Sequence, residues 1–304
     1  MTGAVLKSAK TGRVNRPPIY YLAGEAQERD NSQLSHDTWF ARVVRNDSAD
    51  ETLPMIVKRI PKPVTAAVEI ACGMAARELK LNVPAPGLVV ADREDLPGLE
   101  DDVPGKRFLL VGSHYQRPDA LFAAAVAGHP AAEELIWEKV CGTFVASQGA
   151  AWDELIANPD RHSENVLFDG TAWWLFDHDQ ALTPAAQYAL DETHSAYRQE
   201  ALAFCAAENQ LAEQLSRRIS GPLAAVRLQS QRIESGRRRL QTLAHYAREW
   251  KHPDAEIQHV LSLVSVVLGL IHLRLPALAE KLHQRLGQPV EEQPTLWNSP
   301  SPKA

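Results

Sequence analysis

Three polar side chains stand at spacings that suit the handling of a divalent cation. Asp160 and Asn165 are five residues apart, and Asp177 comes twelve residues after Asn165. Between them, an Asp-Gly dipeptide separates two apolar runs, residues 166–168 and 173–176, and predicts a tight β-hairpin. A hairpin returns the end of its second strand to the start of its first. We therefore expect Asn165 and Asp177 to meet, with Asp160 nearby.

These residue types suit metal-assisted phosphoryl transfer. Carboxylate and amide oxygens are the ligands that Mg²⁺ takes, with waters and phosphate oxygens in its remaining positions. Asn165 and Asp177 are thus candidate metal ligands, and Asp160 could orient or deprotonate a hydroxyl group. Kinases use this pattern, a loop D-x-x-x-x-N followed by a metal-holding aspartate. The alternative is that Asp and Asn occur here only to form turns.

Kinase chemistry also needs a lysine on a strand to hold phosphates and an acidic partner on the next helix. Lys58 lies in the apolar run at residues 54–60, which reads as a strand. A helix predicted over residues 65–81 carries Glu69 and Glu78, and either could be the partner. The alternative for Lys58 is a solvated lysine on an edge strand.

The surrounding pattern predicts an α+β fold with two lobes, first a β-rich one and then a helical one. Short apolar runs bounded by Gly, Pro, Asn or Asp read as strands: residues 19–23, 38–44, 54–60, 87–92 and 107–112. After residue 112 the pattern turns helical. The predicted organisation is a flexible arm over 1–17, a β-rich N-lobe over 18–113, a C-lobe over 114–210, a helical extension over 211–287 and a flexible tail over 288–304.

The stretches "NPDRHSENVLFDG", "WWLFDHD" and "VKRIPKPVTAAVEIACGMAARELKLNVPAPGLVVAD" resemble the HipA-like kinases, which are related to the phosphatidylinositol kinase fold. The resemblance covers roughly residues 20–185. It implies a bilobal protein-kinase-like fold, use of ATP and Mg²⁺, and transfer to Ser or Thr of a protein. The best-known members of that family are bacterial toxins that inactivate an aminoacyl-tRNA synthetase. A protein substrate in translation and an antitoxin partner are therefore expectations that rest on the resemblance.

The resemblance also assigns roles to individual residues. Asp160 would be the base that orients the acceptor hydroxyl, while Asn165 and Asp177 would hold Mg²⁺. Lys58 would contact the nucleotide phosphates. Glu69 would pair with that lysine, since it fits the family's spacing better than Glu78.

Further assignments concern the loop and the nucleotide base. Arg161 and His162 would brace the catalytic loop. The strand over residues 108–113 would lead into a hinge, where backbone groups from about Val111 to Ser113 would meet adenine.

The sequence departs from ordinary protein kinases in two places. No G-x-G-x-x-G motif precedes Lys58, so phosphates would be held by backbone N–H groups and the hydroxyls of Ser32, Ser35 or Thr38. The glycine of a D-F-G motif is also missing, because the chain has His178 and then an aspartate after Asp177. The second departure excludes an ordinary protein kinase.

Composition and charge limit the other classes. The net charge of −6 does not suit a chain that binds polyanions over its whole surface. Three distant cysteines give no disulfide framework or zinc spacing, as expected in a reducing cytosol. The most apolar run, residues 260–273, is too short to span a bilayer and predicts a buried helix. We therefore expect a cytoplasmic protein without stable membrane insertion.

A basic stretch over residues 217–251 could dock an acidic protein or a nucleic acid. It holds nine basic residues against two acidic ones. The basic residues are Arg217, Arg218, Arg227, Arg232, Arg237, Arg238, Arg239, Arg248 and Lys251. The alternative is a solvated helical face.

Two other functions compete with a HipA-like protein kinase. One is a nucleotide-binding pseudokinase that acts as an interaction module. Its weakness is that a pseudokinase has no chemical need to keep Asp160, Asn165 and Asp177 together. The other is a phosphotransferase for a lipid or small molecule, for which the basic stretch could supply a membrane face.

Overall fold

The chain forms a mixed α+β structure, with a sheet-rich N-terminal part and a helical C-terminal part. The computed structural model describes residues 16–29, 36–45, 48–99, 103–129, 131–182 and 209–286. The predictions for the N-terminal arm up to residue 15, for the tail and for residues 183–208 lie outside the described residues.

Six strands form the N-terminal sheet. They are β1 (Ile19–Leu22), β2 (Gln27–Glu28), β3 (Thr38–Arg45), β4 (Ser48–Lys58), β5 (Pro86–Asp92) and β6 (Arg107–His114). The strand order is β1-β5-β6-β4-β3-β2, and β1 also pairs with β3. This extra pairing joins five strands into a closed ring, which leaves few exposed strand edges.

The inside of this ring is an apolar core of its own. Trp39, Met55, Val57, Val89 and Leu110 alternate with outward-facing neighbours along their strands and are almost fully buried. These side chains fix the strand register, because a shift by one residue would turn them to the outer face. Since Lys58 comes directly after Val57, the same register turns Lys58 to the outer face.

Helix α1 (Pro63–Glu78) packs on that outer face. A proline begins it, where the missing N–H group costs no hydrogen bond. Leu88 and Val90 of β5 and Val111 of β6 belong to the same apolar cluster as the helix. The helix follows β4 after only four residues, so it brings Glu69 back alongside the end of the strand that carries Lys58.

The C-terminal part is built from helices and one small hairpin. The first helices are α2 (Ala120–Ala127), α3 (Ala132–Cys141) and α4 (Phe144–Leu155). A 3-10 turn (Ser163–Asn165) then leads into the hairpin of β7 (Val166–Phe168) and β8 (Trp173–Leu175). The last helices are α5 (Gln210–Arg218), α6 (Pro222–Ser235), α7 (Arg237–Ala247), α8 (Ala255–Arg274) and α9 (Leu278–Leu286).

One hydrophobic core joins α1 to the C-terminal helices. Residues of α1, α3, α4 and the long helix α8 fall in a single buried cluster. Arg239 of α7 donates from Nε to the backbone carbonyl of Glu78 at 2.7 Å, at the C-terminal end of α1. The predicted helical extension therefore packs directly against the helix that carries Glu69. The predicted division into two lobes stays a prediction.

Helix α8 is the predicted buried helix, and it is longer than its apolar run. It has 20 residues, and Asp254 caps its N-terminus by accepting hydrogen bonds from the N–H groups of Glu256 and Ile257. Within the described residues, Ala255–His283 is long and apolar enough to cross a membrane, with a mean hydropathy of 1.9. However, 61% of the 18-residue window with this hydropathy is buried inside the protein, as in the core helix of a globular protein.

The strand and helix bounds differ from the sequence prediction in detail. Strand β2 was not expected, because two exposed residues carry no apolar pattern. The strand predicted over residues 54–60 begins earlier and ends at Lys58. Helix α1 ends before residue 81, because Lys80 takes a left-handed φ of 63°.

The basic stretch spreads over α5, α6, α7 and the residues that follow α7. Arg217 pairs with Glu213, Arg218 with Glu134, and Arg237 with Glu234. These intramolecular partners reduce the charge available to a docked molecule. A docking role for this surface stays a prediction.

Candidate functional site

Lys58 and Asp177, which are 119 residues apart in sequence, form the central ion pair of the site. The Nζ atom of Lys58 lies 2.6 Å from Oδ2 of Asp177. Both side chains are largely shielded, with 20% and 24% of their surface exposed. Burial disfavours the charged lysine, but Asp177 and Glu69 outweigh it, so the pKa of Lys58 is raised. Lys58 is therefore a charged lysine inside the site and not a solvated edge residue.

Glu69 connects α1 to the same segment through its backbone. Its Oε2 atom accepts a hydrogen bond from the backbone N–H of His178, the residue after Asp177. Among the described residues, the ion pair of Lys58 is with Asp177, while Glu69 acts on that lysine through its charge. Glu78 lies at the far end of the helix, so the geometry favours Glu69 as the acidic residue that acts on Lys58.

Burial and the neighbouring carboxylates Asp177 and Asp179 raise the pKa of Glu69 to about 7, although Lys58 and the backbone of His178 oppose this. In the range from 4.5 to about 7, the folded protein therefore holds a proton that the unfolded chain has lost. The free energy of unfolding should fall as the pH rises through this range and then level off.

Glu69→Gln should flatten that slope, measured by denaturant titration between pH 4.5 and 8. Glu78→Gln, on the same helix, is the control. A wild-type slope that persists in Glu69→Gln would assign the pH dependence to another group.

A buried arginine fixes the loop that carries Asp160. One edge of the Arg161 guanidinium binds the carboxylate of Asp153 on α4, with Nε donating at 3.1 Å and Nη2 at 3.0 Å. Its remaining nitrogen, Nη1, donates to the backbone carbonyls of Asn165 and Phe176. One side chain therefore joins the start of the hairpin to its end, directly before Asp177.

Asn165 is buried and oriented by the same loop. Its Nδ2 atom donates to the backbone carbonyl of Asp160 at 2.8 Å, which leaves its Oδ1 atom as the candidate metal ligand. Its own backbone carbonyl accepts from the N–H of Phe176 at 3.3 Å. The hairpin register pairs Val166 with Leu175. These contacts bring Asn165 beside the segment of Asp177, as the spacing predicted.

Asp160 presents a half-exposed carboxylate at the edge of the site. Half of its side chain is exposed, and His162 lies 4.0 Å away. Its backbone N–H donates to the Oδ1 atom of Asn158, which fixes the turn. Burial and the charges of Asp177 and Asp179 raise the pKa of Asp160, while His162 lowers it. Such a carboxylate can accept a proton from a hydroxyl group that approaches from solvent.

Asp177 has a strained backbone and an unused oxygen. Its φ of 61° lies in the left-handed region, which is uncommon for residues other than glycine. Its Oδ1 atom is buried and has no hydrogen-bond partner among the described residues. A buried carboxylate oxygen without a donor fits a cation ligand, and the amide oxygen of Asn165 could supply a second one.

The described residues contain no group of three or more His, Cys, Asp or Glu side chains arranged around one metal position. Mg²⁺ does not require one, since it is usually bound through one or two carboxylates together with waters and phosphate oxygens. The donors present fit Mg²⁺ better than a transition metal such as zinc.

Two further side chains follow Asp177. Burial lowers the pKa of His178 well below its usual value, with smaller contributions from Arg161 and Lys58, so this histidine is neutral. Asp179 is buried, and its Oδ2 atom lies 3.0 Å from Nε2 of His36. His36 comes just before β3, so this contact connects the sheet to the segment of Asp177.

The predicted adenine contact at Val111 to Ser113 needs correction. These residues lie within β6, and β4 and β5 pair with them from both sides. Their backbone groups are therefore used within the sheet and are not free to meet a ligand. The chain leaves the sheet only after His114.

Ser35 and Ser32, the predicted phosphate ligands, lie outside the described residues. Thr38 is buried, and its hydroxyl donates to the carbonyl of His36 at 2.9 Å.

The sequence prediction missed the residues that hold the loop. Asp153 also accepts hydrogen bonds from the side-chain amides of Asn158 and Asn209, at 3.2 and 2.9 Å. The sequence signal for Asp153 is the acidic pair Asp153-Glu154 near the end of a mostly apolar helix. Asn209 and His36 carry no signal, because long-range folding brings them to the site.

The comparisons with solved structures give distant structural neighbours. The Helicobacter pylori proinflammatory kinase CtkA is similar over 83% of this chain and 97% of its own, with 11% identity and a TM-score of 0.47. No protein-family model matches the sequence, and no curated protein matches it. At this identity and TM-score, the likeness does not assign an activity or a site to this chain.

Proposed function

We propose that this chain is a kinase that transfers the γ-phosphate of ATP to a hydroxyl group with the help of Mg²⁺. The observation that carries the proposal is the contact of Lys58 with Asp177. Next to it, Glu69 accepts a hydrogen bond from the backbone N–H of His178. Asn165 and Asp160 lie on the loop that the same hairpin closes. Lys58, Glu69, Asp160, Asn165 and Asp177 also follow one another in the order of a kinase pattern, which supports the proposal.

The charge balance of the site supports a bound cation. Asp160, Asp177, Asp179 and Glu69 act electrostatically on one another or on Lys58, the one lysine in their midst among the described residues. Arg161 offsets them only in small part, since Asp153 already pairs with it. When bound, Mg²⁺ would neutralise carboxylate and phosphate charge together.

In the proposed reaction, each side chain has a separate task. Asp177 and Asn165 would hold the metal through their oxygen atoms. Lys58 would contact the phosphates, because a metal held by Asp177 would compete with Lys58 for that carboxylate. Asp160 would accept the proton of the acceptor hydroxyl, and its half-exposed position leaves room for that group to approach.

We further propose a two-lobed arrangement with the nucleotide between the sheet and the hairpin. The adenine base would then meet backbone groups after His114, at about Gln116 and Arg117, because the strand before them is paired on both sides. The Ser/Thr protein acceptor, a component of translation as target, an antitoxin and a growth-control role follow only from the resemblance to HipA-like kinases. The cytoplasmic location is a proposal of the same kind.

An Asp160→Asn variant tests the proposed base. Its turnover should fall by about 100-fold or more, because the amide cannot take the proton. Binding of Mg²⁺-ATP, measured by calorimetry, should change little, since Asn165 and Asp177 remain.

Glu164→Gln is the matched control, because Glu164 lies on the same loop with 75% of its side chain exposed. It should keep wild-type turnover. Full turnover in Asp160→Asn would show that Asp160 is not the base.

The nature of the acceptor can be tested directly. Purified protein, γ-labelled ATP and Mg²⁺ are added to a host-cell lysate, with Asp177→Asn protein in a parallel reaction. A labelled protein band made only by the wild type would support a protein kinase and give the mass of the target. Label in lipid or in small metabolites would favour the alternative phosphotransferase. Mg²⁺-ATP binding without any transfer would favour a pseudokinase.

A further inference from the structure

Among the described residues, two side-chain contacts connect the sheet to the segment over residues 177–179. The first is the ion pair of Lys58 with Asp177. The second is the contact of His36 with Asp179, in which both side chains are largely buried, with 18% and 4% exposed. Since Asp179 is a carboxylate, it accepts, and the Nε2–H of His36 donates.

The segment of His36 is fastened tightly to the strand that carries Lys58. Asp37 accepts a hydrogen bond from Nε of Arg59 at 2.7 Å, and its carbonyl accepts from the backbone N–H of Arg59 at 2.9 Å. Thr38 is the strand partner of Lys58. A displacement of His36 would therefore displace Lys58.

Asp179 is held equally firmly on the other side. Gln180 donates to its second oxygen, Oδ1, at 2.9 Å. Only one residue separates Asp179 from Asp177, and the backbone N–H of that residue, His178, is bound by Glu69. The contact of His36 with Asp179 therefore closes a ring that runs through both partners of the central ion pair.

We infer that His36 is a positioning residue, which keeps Lys58 aligned with Asp177 during the reaction. The inference rests on the proposed function, in which the metal and the phosphates separate Lys58 from Asp177. The contact of His36 with Asp179 involves neither Lys58 nor the carboxylate of Asp177. It can therefore persist when the ion pair of Lys58 with Asp177 is broken. It would then hold the lysine and the metal ligand at the distance that the phosphates must bridge.

The test is a double-mutant cycle with His36→Ala and Asp179→Ala, measured on turnover and on the free energy of unfolding. Each single variant should lose about 10- to 100-fold in kcat, because small misplacements of reacting groups carry penalties of this size. The double variant should lose no more than the worse single variant, since both remove the same contact. His36→Gln should recover most of the activity, because its amide can donate to Asp179.

A histidine outside this ring provides the control. His129 is exposed, its ring contact is local to residue 131, and His129→Ala should keep wild-type turnover. Losses in kcat that are additive across the cycle, or no loss in His36→Ala, would overturn the positioning role while the proposed function stands. Coupling in the unfolding free energy alone would also overturn it, as a purely structural contact. A wild-type protein without any phosphoryl transfer would overturn the proposed function itself.

Discussion

An Asp177→Asn variant should lose at least about a thousandfold in phosphoryl transfer and still fold. Asparagine keeps the shape of the side chain but removes the charge that would hold Mg²⁺. It also tolerates the left-handed backbone conformation that Asp177 adopts. The measurement is turnover of γ-labelled ATP over a range of Mg²⁺ concentrations, together with thermal unfolding.

A second variant separates the loss of a ligand from the loss of structure. Asp177→Gly has no metal-binding group, but glycine adopts the φ of 61° without strain, so its thermal stability should match or exceed that of Asp177→Asn. Both variants should be inactive, and neither should be recovered by more Mg²⁺. Turnover above a tenth of the wild-type value in either variant would remove Asp177 from the proposed metal site.

Arg161→Leu should be the most destabilising single change in the site. It leaves the fully buried carboxylate of Asp153 without its charged partner, which costs about 3–5 kcal/mol of unfolding free energy. It also removes the donor that joins the carbonyls of Asn165 and Phe176. We therefore expect both stability and turnover to fall, measured by denaturant titration and by the labelled-ATP assay.

The double variant Arg161→Leu with Asp153→Asn tests whether the unpaired charge of Asp153 causes this loss of stability. Without the buried charge, it should be more stable than Arg161→Leu alone. Its turnover should stay low, because the hairpin ends are still not joined. The control is Arg218→Leu, which removes a partly exposed ion pair with Glu134 and should cost at most about 1 kcal/mol. Equal stability of Arg161→Leu and wild type would contradict the structural role of this arginine.

The sequence by itself determined the types and order of the residues that could do chemistry. The Asp-Gly turn and two apolar runs were sufficient to predict the hairpin, because hairpin formation depends on neighbouring residues. Once the hairpin forms, the meeting of Asn165 with the segment of Asp177 follows from its geometry. Strand patterns likewise placed Lys58 on a strand and Glu69 on the next helix, since period and turn residues are local signals.

Tertiary structure alone decided how these residues are held. Asp153, Asn209 and His36 reach the site through packing between distant segments, and no local pattern marks Asn209 or His36. Only the fold shows that β4 and β5 pair with the backbone groups of β6 for which the sequence predicted an adenine contact. Only the fold shows that α8 packs on α1 and thereby supports Glu69. The physical reason is that residue type and spacing report on local backbone geometry, whereas burial, ion pairing and hydrogen-bond partners depend on the whole folded chain.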